Sequence, residues 1–395
     1  MPKIESIKCR RILNSHVEFT NEFIIELADG SSGIGGSPQG ETISIYEDDN
    51  VTTDPSKILQ AIDHDGFIGN EINQEKFDSY LNQQIPNFGR NNVYGLSLAF
   101  FNAISECNQN SDIVDLDTNS MVSPFICFNI LNGGWHAYTN PVLSDFHEYI
   151  FVTNISNLYD AVACHNEIQQ VVREKLINLE KTSISGNVVH RFSTTDNREC
   201  IDFLLKICES LGVSDKFELM IDSSSGDLWN GKEYHLSITN NALYSREEFL
   251  EYWIDIINQY DLRFIEDPFH ERDMENWRGL TNSQESCKVI GDNFYSSEPT
   301  RIAEGAQKKY THGVIVKPNQ AGTVTAVQKA IDVAQLNNQF VITSHRSIST
   351  ESTFISLLTC SNNVKYIKIG PLMTDYSAVM RLNEILRLTE EPACK

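Results

Sequence analysis

The sequence is short of basic residues. Lys and Arg total 31 against 54 Asp and Glu, a formal net charge of −23 over 395 residues. A surface that acidic repels phosphate backbones and anionic lipids, so neither nucleic acid nor a membrane surface is an expected partner. An anionic substrate would need a local group of cations working against the global field. Long apolar runs are also missing. Nothing approaches the roughly 18 apolar residues of a membrane-spanning helix. The opening MPKIESIKCRRIL lacks the apolar stretch of a secretory signal. The nine cysteines, an odd number, form no CxxC pair and no ligand cluster. A reducing, cytoplasmic setting is therefore expected. No Walker motif and no serine nucleophile elbow is present. The GIGG run at 33–36 is not a glycine loop opening a helix.

What is present divides into two parts. FTNEFIIELADGSSGIGG (19–36) has the aromatic and β-branched content of strands, with a turn at Asp29-Gly30. PSKILQAIDH and VYGLSLAFFNAISECNQ carry apolar residues at helical spacing. Residues 1–120 therefore suggest a small α+β domain, and NQNSDIVDLDTNS a polar boundary. Beyond it, short apolar runs recur, each followed by a polar cluster and a helical stretch: PFICFNILNGG, HEYIFV, FELMIDSS, LRFIEDP, CKVIGDN, GVIVKPN, FVITSHRS and VKYIKIG. The last polar residues of the later six are Asp222, Glu266, Asp292, Lys317, His345 and Lys368, separated by 44, 26, 25, 28 and 23 positions. A strand, loop and crossover helix take roughly 25–30 residues. That period predicts a (β/α) barrel over 121–395, the long first gap holding an insertion with a small hairpin.

Barrel strands deliver functional residues at their C-terminal ends. The six would face one mouth together with Arg346 and Ser347. Any single one of them is more often a solvated loop residue; six in register favour a site. Three carboxylates from neighbouring strands make a hard oxygen site suited to Mg²⁺ rather than Zn²⁺. A lysine near a metal has its neutral form favoured and can abstract a proton. A metal that neutralises a substrate carboxylate stabilises the resulting enolate, and an Arg beside a Ser suits phosphate. The pattern suggests proton removal next to a carboxylate, on a substrate carrying a phosphate.

FNILNGGWHA (128–137), FHEYI, SGNV, MIDSSS, FIEDPF, IGDN, VKPNQAGTVT, ITSHRS and IKIG, in this order, resemble the enolase family over nearly the whole chain. A Lys base beside Mg²⁺ is the established arrangement of that superfamily. The resemblance implies an α/β fold: a ββαα(βα)₆ version of the (β/α)₈ barrel at 121–395, after an α+β domain at 1–120. It implies a homodimer and a small phosphorylated or phosphonate substrate. Asp222, Glu266 and Asp292 match the Mg²⁺ ligands, Lys317 the base acting on 2-phosphoglycerate, and Lys368 a holder of the substrate carboxylate. Arg346 and Ser347 match phosphate contacts, His136 and His345 active-site histidines, and Glu148 a glutamate near the leaving hydroxyl.

Two stretches depart from the family. After SGNV the family has Gly-Asp-Glu-Gly-Gly, whose Glu protonates the departing hydroxyl; this chain reads SGNVVHRFS. By register Arg191 stands in place of that Glu, after His190. Losing a general acid costs about 10²–10⁴-fold in rate unless His190 replaces it. Either Arg191 turns to solvent in a shifted loop, or Arg191 and His190 bind a further anionic group. The family's closing loop, Ser-Gly-Ala-Ser-Thr-Gly-Glu, becomes GIGGSPQGETIS, about four residues shorter, with Ser37 as the candidate for a second Mg²⁺ and Pro38 stiffening the run. Three functions remain open. One is the phosphopyruvate hydratase reaction, 2-phosphoglycerate to phosphoenolpyruvate. The second is a specialised lyase on a phosphonate or phosphoester, of the kind that makes carboxyphosphonoenolpyruvate. The third is a weakly catalytic binding protein.

Overall fold

The computed structural model describes residues 1–47, 54–108, 121–135, 138–184 and 186–390. The polar boundary expected at 109–120 and the candidate His136 lie outside the described residues.

The chain opens with an antiparallel sheet of β1 (Ile4–Leu13), β2 (Phe19–Leu27) and β3 (Ser32–Gly36), followed by α1 (Pro55–His64), α2 (Gln74–Gln83), α3 (Ile85–Phe88) and α4 (Arg90–Asn108). The glycines of β3 have a packing reason. A Cβ on Gly33 would lie 2.2 Å from backbone atoms of Ala99 and Ala103, and one on Gly35 2.0 Å from Gly95 O. Only bare backbone lets β3 approach α4 this closely. Phe23, Ile25, Phe77, Leu81, Leu96 and Phe100 are among the buried side chains of this core.

The second part begins with β4 (Phe125–Asn132), β5 (Glu148–Thr153), α5 (Leu158–Leu176), the hairpin β6 (Glu180–Ile184) and β7 (Asn187–Arg191), and α6 (Arg198–Leu211). Then come β8 (Phe217–Asp222), the small hairpin β9 (Tyr234–Leu236) and β10 (Ala242–Tyr244), and α7 (Arg246–Tyr260). The repeat continues with β11 (Phe264–Glu266), α8 (Met274–Ser283), β12 (Lys288–Gly291), α9 (Pro299–Lys308), β13 (Gly313–Val316), α10 (Pro318–Ala321), α11 (Val324–Leu336), β14 (Phe340–Ser344), α12 (Phe354–Ser361), β15 (Tyr366–Lys368) and α13 (Tyr376–Thr389). Eight strands close a barrel in the order β11-β12-β13-β14-β15-β4-β5-β8. The pairs β4–β5 and β5–β8 are antiparallel and the other barrel pairs are parallel. This is the expected ββαα(βα)₆ order, and the insertion after β8 carries the expected hairpin. The helices are capped by their own sequence: Ser245 and Glu248 form a capping box at α7, and Thr323 caps α11. Inside the barrel, Cys127, Ile150, Val152, Met220, Phe264, Ile290, Ile315 and Ile342 form an apolar plug. It gives the site above it a dry floor.

Candidate active site

The strand ends do converge. One cavity of about 310 Å³ is lined by Glu148, Asp222, Asp292, Lys317, His345, Arg346, Ser347 and Lys368, together with His16, Glu41, Asn129, Asn132, His147 and Asp375 among others. Asp222 and Glu266 end β8 and β11 and face each other in register. Glu148 reaches the same mouth by the opposite route. Because β5 runs antiparallel, its first residue pairs with Asp222, the last of β8.

Lys368 Nζ lies 2.7 Å from Glu148 Oε2, 2.9 Å from Glu266 Oε2 and 3.4 Å from Asp222 Oδ2. Burial opposes the Lys368 charge, but these three carboxylates outweigh it and raise its affinity for the proton. Burial opposes the charge on Asp222 too, yet Lys368, His147 and Lys317 hold it below the ordinary range. Glu266 goes the other way: burial first, then Asp222, lift its carboxyl well above the usual value. Three carboxylates around one ammonium carry excess negative charge, and the pressure toward protonation falls on Glu266. Lys317 Nζ makes an ion pair with Asp292 Oδ2. The His345 ring, Nδ1 3.2 Å from Lys368 O, is kept neutral by burial and by Arg381, Lys368 and Lys317.

The donor set fits a hard divalent cation. Glu266 Oε1 and Asp292 Oδ1 are buried with no hydrogen-bond partner among the described residues, and buried carboxylate oxygens rarely stay so. The carboxylates face the two ammoniums instead of one point, and no trio of metal-binding groups is drawn together among the described residues. The lining holds five carboxylates (Glu41, Glu148, Asp222, Asp292, Asp375) against three Lys and Arg side chains (Lys317, Arg346, Lys368). An anionic substrate gains little from such a balance until further positive charge enters.

Four predicted residues do not line the cavity. Glu266 is fully buried behind it, held through Lys368, and the other three lie elsewhere. Arg191 is exposed at the end of β7, opposite Glu180. The hairpin turns Val189 onto Ile184, Leu143 and Ile238, while His190 is tied by its backbone to Pro141 and Leu143. Neither His190 nor Arg191 lines the site. Ser37 is buried in the first part, its Oγ 3.3 Å from Asn92 Oδ1 and its N–H donating to Asn21 O. Residues not anticipated include His147, whose Nε2 lies 3.5 Å from Asp227 Oδ2. His16 Nε2 lies 3.4 Å from Glu41 Oε1, and its ring packs 5.1 Å from that of Tyr138. His147 adjoins Glu148 in FHEYI and was within reach of that motif. Residues 16 and 41 carry no local signal.

Residues 120–394 match the family model of the enolase C-terminal TIM barrel domain. The chain belongs to the enolase family. The enolase of Ehrlichia ruminantium (strain Gardel) is 28% identical over 412 residues, covering 97% of this chain and 95% of that protein. Of the six strand-end residues identified from the sequence, Asp222, Asp292, Lys317, His345 and Lys368 line one cavity, and Glu266 is buried beneath it against Lys368. Among the described residues, no helix is long and apolar enough to cross a membrane.

Proposed function

We propose that this enolase-family protein is a Mg²⁺-dependent carbon–oxygen lyase. It removes the proton next to a substrate carboxylate and eliminates water, converting 2-phosphoglycerate or a close analogue to the enolpyruvate. The observation that carries this reading is the pair of buried oxygens without partners among the described residues, Glu266 Oε1 in register with Asp222 and Asp292 Oδ1 on the carboxylate paired with Lys317. Asp222, Glu266 and Asp292 would hold Mg²⁺, which when bound supplies positive charge for the substrate carboxylate and the enolate formed from it. Lys317, released from Asp292, accepts the proton at carbon. Lys368 orients the carboxylate, and Arg346 with Ser347 takes the phosphate end. Glu148, held by Asn129 Nδ2 at 2.6 Å, would serve the departing hydroxyl. His345, kept neutral, adds a polar contact without further charge. His136 belongs to this reading through its motif alone.

A phosphonate or phosphoester analogue is the second reading. It is favoured by a cavity wall that takes His16, Glu41 and Tyr138 from distant segments, while Ser37 stays outside. The expectations of a cytoplasmic homodimer and of domains at 1–120 and 121–395 belong to the same proposal. The test is purified protein with Mg²⁺ and 2-phosphoglycerate, read by the ultraviolet absorbance of the enolpyruvate double bond, beside Lys317→Ala. Turnover abolished in the variant supports the first reading. A silent wild type that turns over a phosphonate analogue supports the second.

A further inference from the structure

Arg346, read above as the contact for the substrate's anionic group, already carries a carboxylate. Its Nη2 donates to Glu47 Oε2 at 2.9 Å and to Thr42 O at 3.0 Å. Both side chains of the pair are buried, at 4% and 8% exposure. The guanidinium lies flat on Gly40, where an added Cβ would come within 1.9–2.2 Å of it. Around this pair the segment 39–47 is fastened down: Gln39 and Ile348 exchange backbone hydrogen bonds, and Glu41 N–H donates to Ser347 Oγ at 3.0 Å. Glu47 Oε1 accepts from Gln320 Nε2 at 3.2 Å, Gln320 Oε1 accepts from Ser297 Oγ at 2.9 Å, and Ser297 Oγ accepts the Lys317 N–H at 2.9 Å. A buried polar chain thus runs from the strap to the backbone of Lys317.

A guanidinium paired with a desolvated carboxylate presents little net charge to a third group, however close. Arg346 Nε, buried and without a hydrogen-bond partner among the described residues, leaves part of the fork unused by them. We propose that Glu47 is a resident counter-anion of Arg346: it masks the arginine and holds the strap 39–47 shut, and an incoming phosphate or phosphonate group takes the guanidinium from it. This rests on the reading of Arg346 as the anion contact. It adds that anion binding and release of the strap are one event.

The experiment uses the full chain and inorganic phosphate as probe. Binding is measured by titration calorimetry for wild type, Glu47→Gln and Glu47→Asp, and amide hydrogen exchange of 39–47 is followed in wild type with and without phosphate. Glu47→Gln should bind phosphate about tenfold more tightly, the scale of one charge-assisted contact unmasked. Glu47→Asp, which keeps the charge, should stay near wild type. Wild-type amides at 39–47 should exchange faster when phosphate is present. Equal or weaker binding by Glu47→Gln overturns the inference, as does unchanged or greater protection of the wild-type strap. The exchange measurement decides even where the variant does not fold. Neither readout involves turnover. A protein that ignores 2-phosphoglycerate yet responds this way to phosphate loses only the proposed reaction, and one that turns over without these responses loses only the strap.

Discussion

Lys368 Nζ sits 2.9 Å from Glu266 Oε2, and this contact joins the last residues of two strands that are not neighbours in the barrel. The ammonium takes the central position among Glu148, Asp222 and Glu266, in a pocket floored by apolar side chains. It acts as an internal cation for a group of carboxylates that could not otherwise be buried together.

Lys368→Met removes that charge and leaves three carboxylates facing one another. Breaking a buried pair costs about 3–5 kcal/mol, and chemical denaturation at pH 7 should show a loss of that order. Added Mg²⁺ should restore part of it, since a divalent ion offsets the same deficit. A loss below about 1 kcal/mol, of the size expected for an exposed pair, would show that the carboxylates do not depend on Lys368.

Arg191→Glu tests the register argument against the geometry. Register after SGNV puts Arg191 in place of a family carboxylate, but the hairpin β6–β7 leaves it in solvent opposite Glu180. The substitution should change turnover by no more than about twofold, the range of a surface site. A large gain in turnover would mean that β7 enters the cavity when substrate binds.

The barrel was legible because its period is written in apolar runs that end in single polar residues. Asp222, Glu266, Asp292, Lys317, His345 and Lys368 follow from strand-end placement alone. Glu148 does not, because it begins an antiparallel strand; the same rule would have pointed to Thr153 at the far end. Ser37 is a candidate by its place in the shortened GIGGSPQGETIS run, yet hydrogen bonds to Asn21 and Asn92 keep it against the first sheet. The Arg346–Glu47 and His16–Glu41 pairs had no signature either. Arg346 and Glu47 stand 299 positions apart, and only the packing of the first part against the barrel mouth brings them together.

Gly35→Ala probes the contact that makes the first part compact. The new Cβ would meet Gly95 O at 2.0 Å and Ala99 N at 2.7 Å, and these are backbone atoms that cannot rotate away. Overpacking of this kind costs about 1–3 kcal/mol or more. Thermal unfolding should show a clearly lowered midpoint, whereas Gly30→Ala, with open space around it and strain only from its positive φ, should lose less. Equal losses would mean that the strand shifts to admit the methyl group.

Asp78 links α2 to the N-terminus of α11. It accepts hydrogen bonds from Ser97 Oγ at 2.6 Å, Gln74 Nε2 at 2.9 Å and Thr325 N at 2.9 Å. Burial pushes its carboxyl up to about 6, and the hydrogen bonds only partly oppose the shift. The folded chain therefore holds this proton more tightly than the unfolded chain, whose carboxyl titrates near 3.9. The stabilisation is complete below about pH 4 and is lost as pH rises through 6. Two units correspond to on the order of 3 kcal/mol. Asp78→Asn cannot lose the proton, so it should be less stable than wild type at pH 4, where it lacks a matching set of acceptors. That gap should narrow between pH 4 and 6. Denaturant midpoints measured across this range decide the matter: parallel curves for the two proteins would mean that Asp78 is ionised throughout, held charged by the three donors around it.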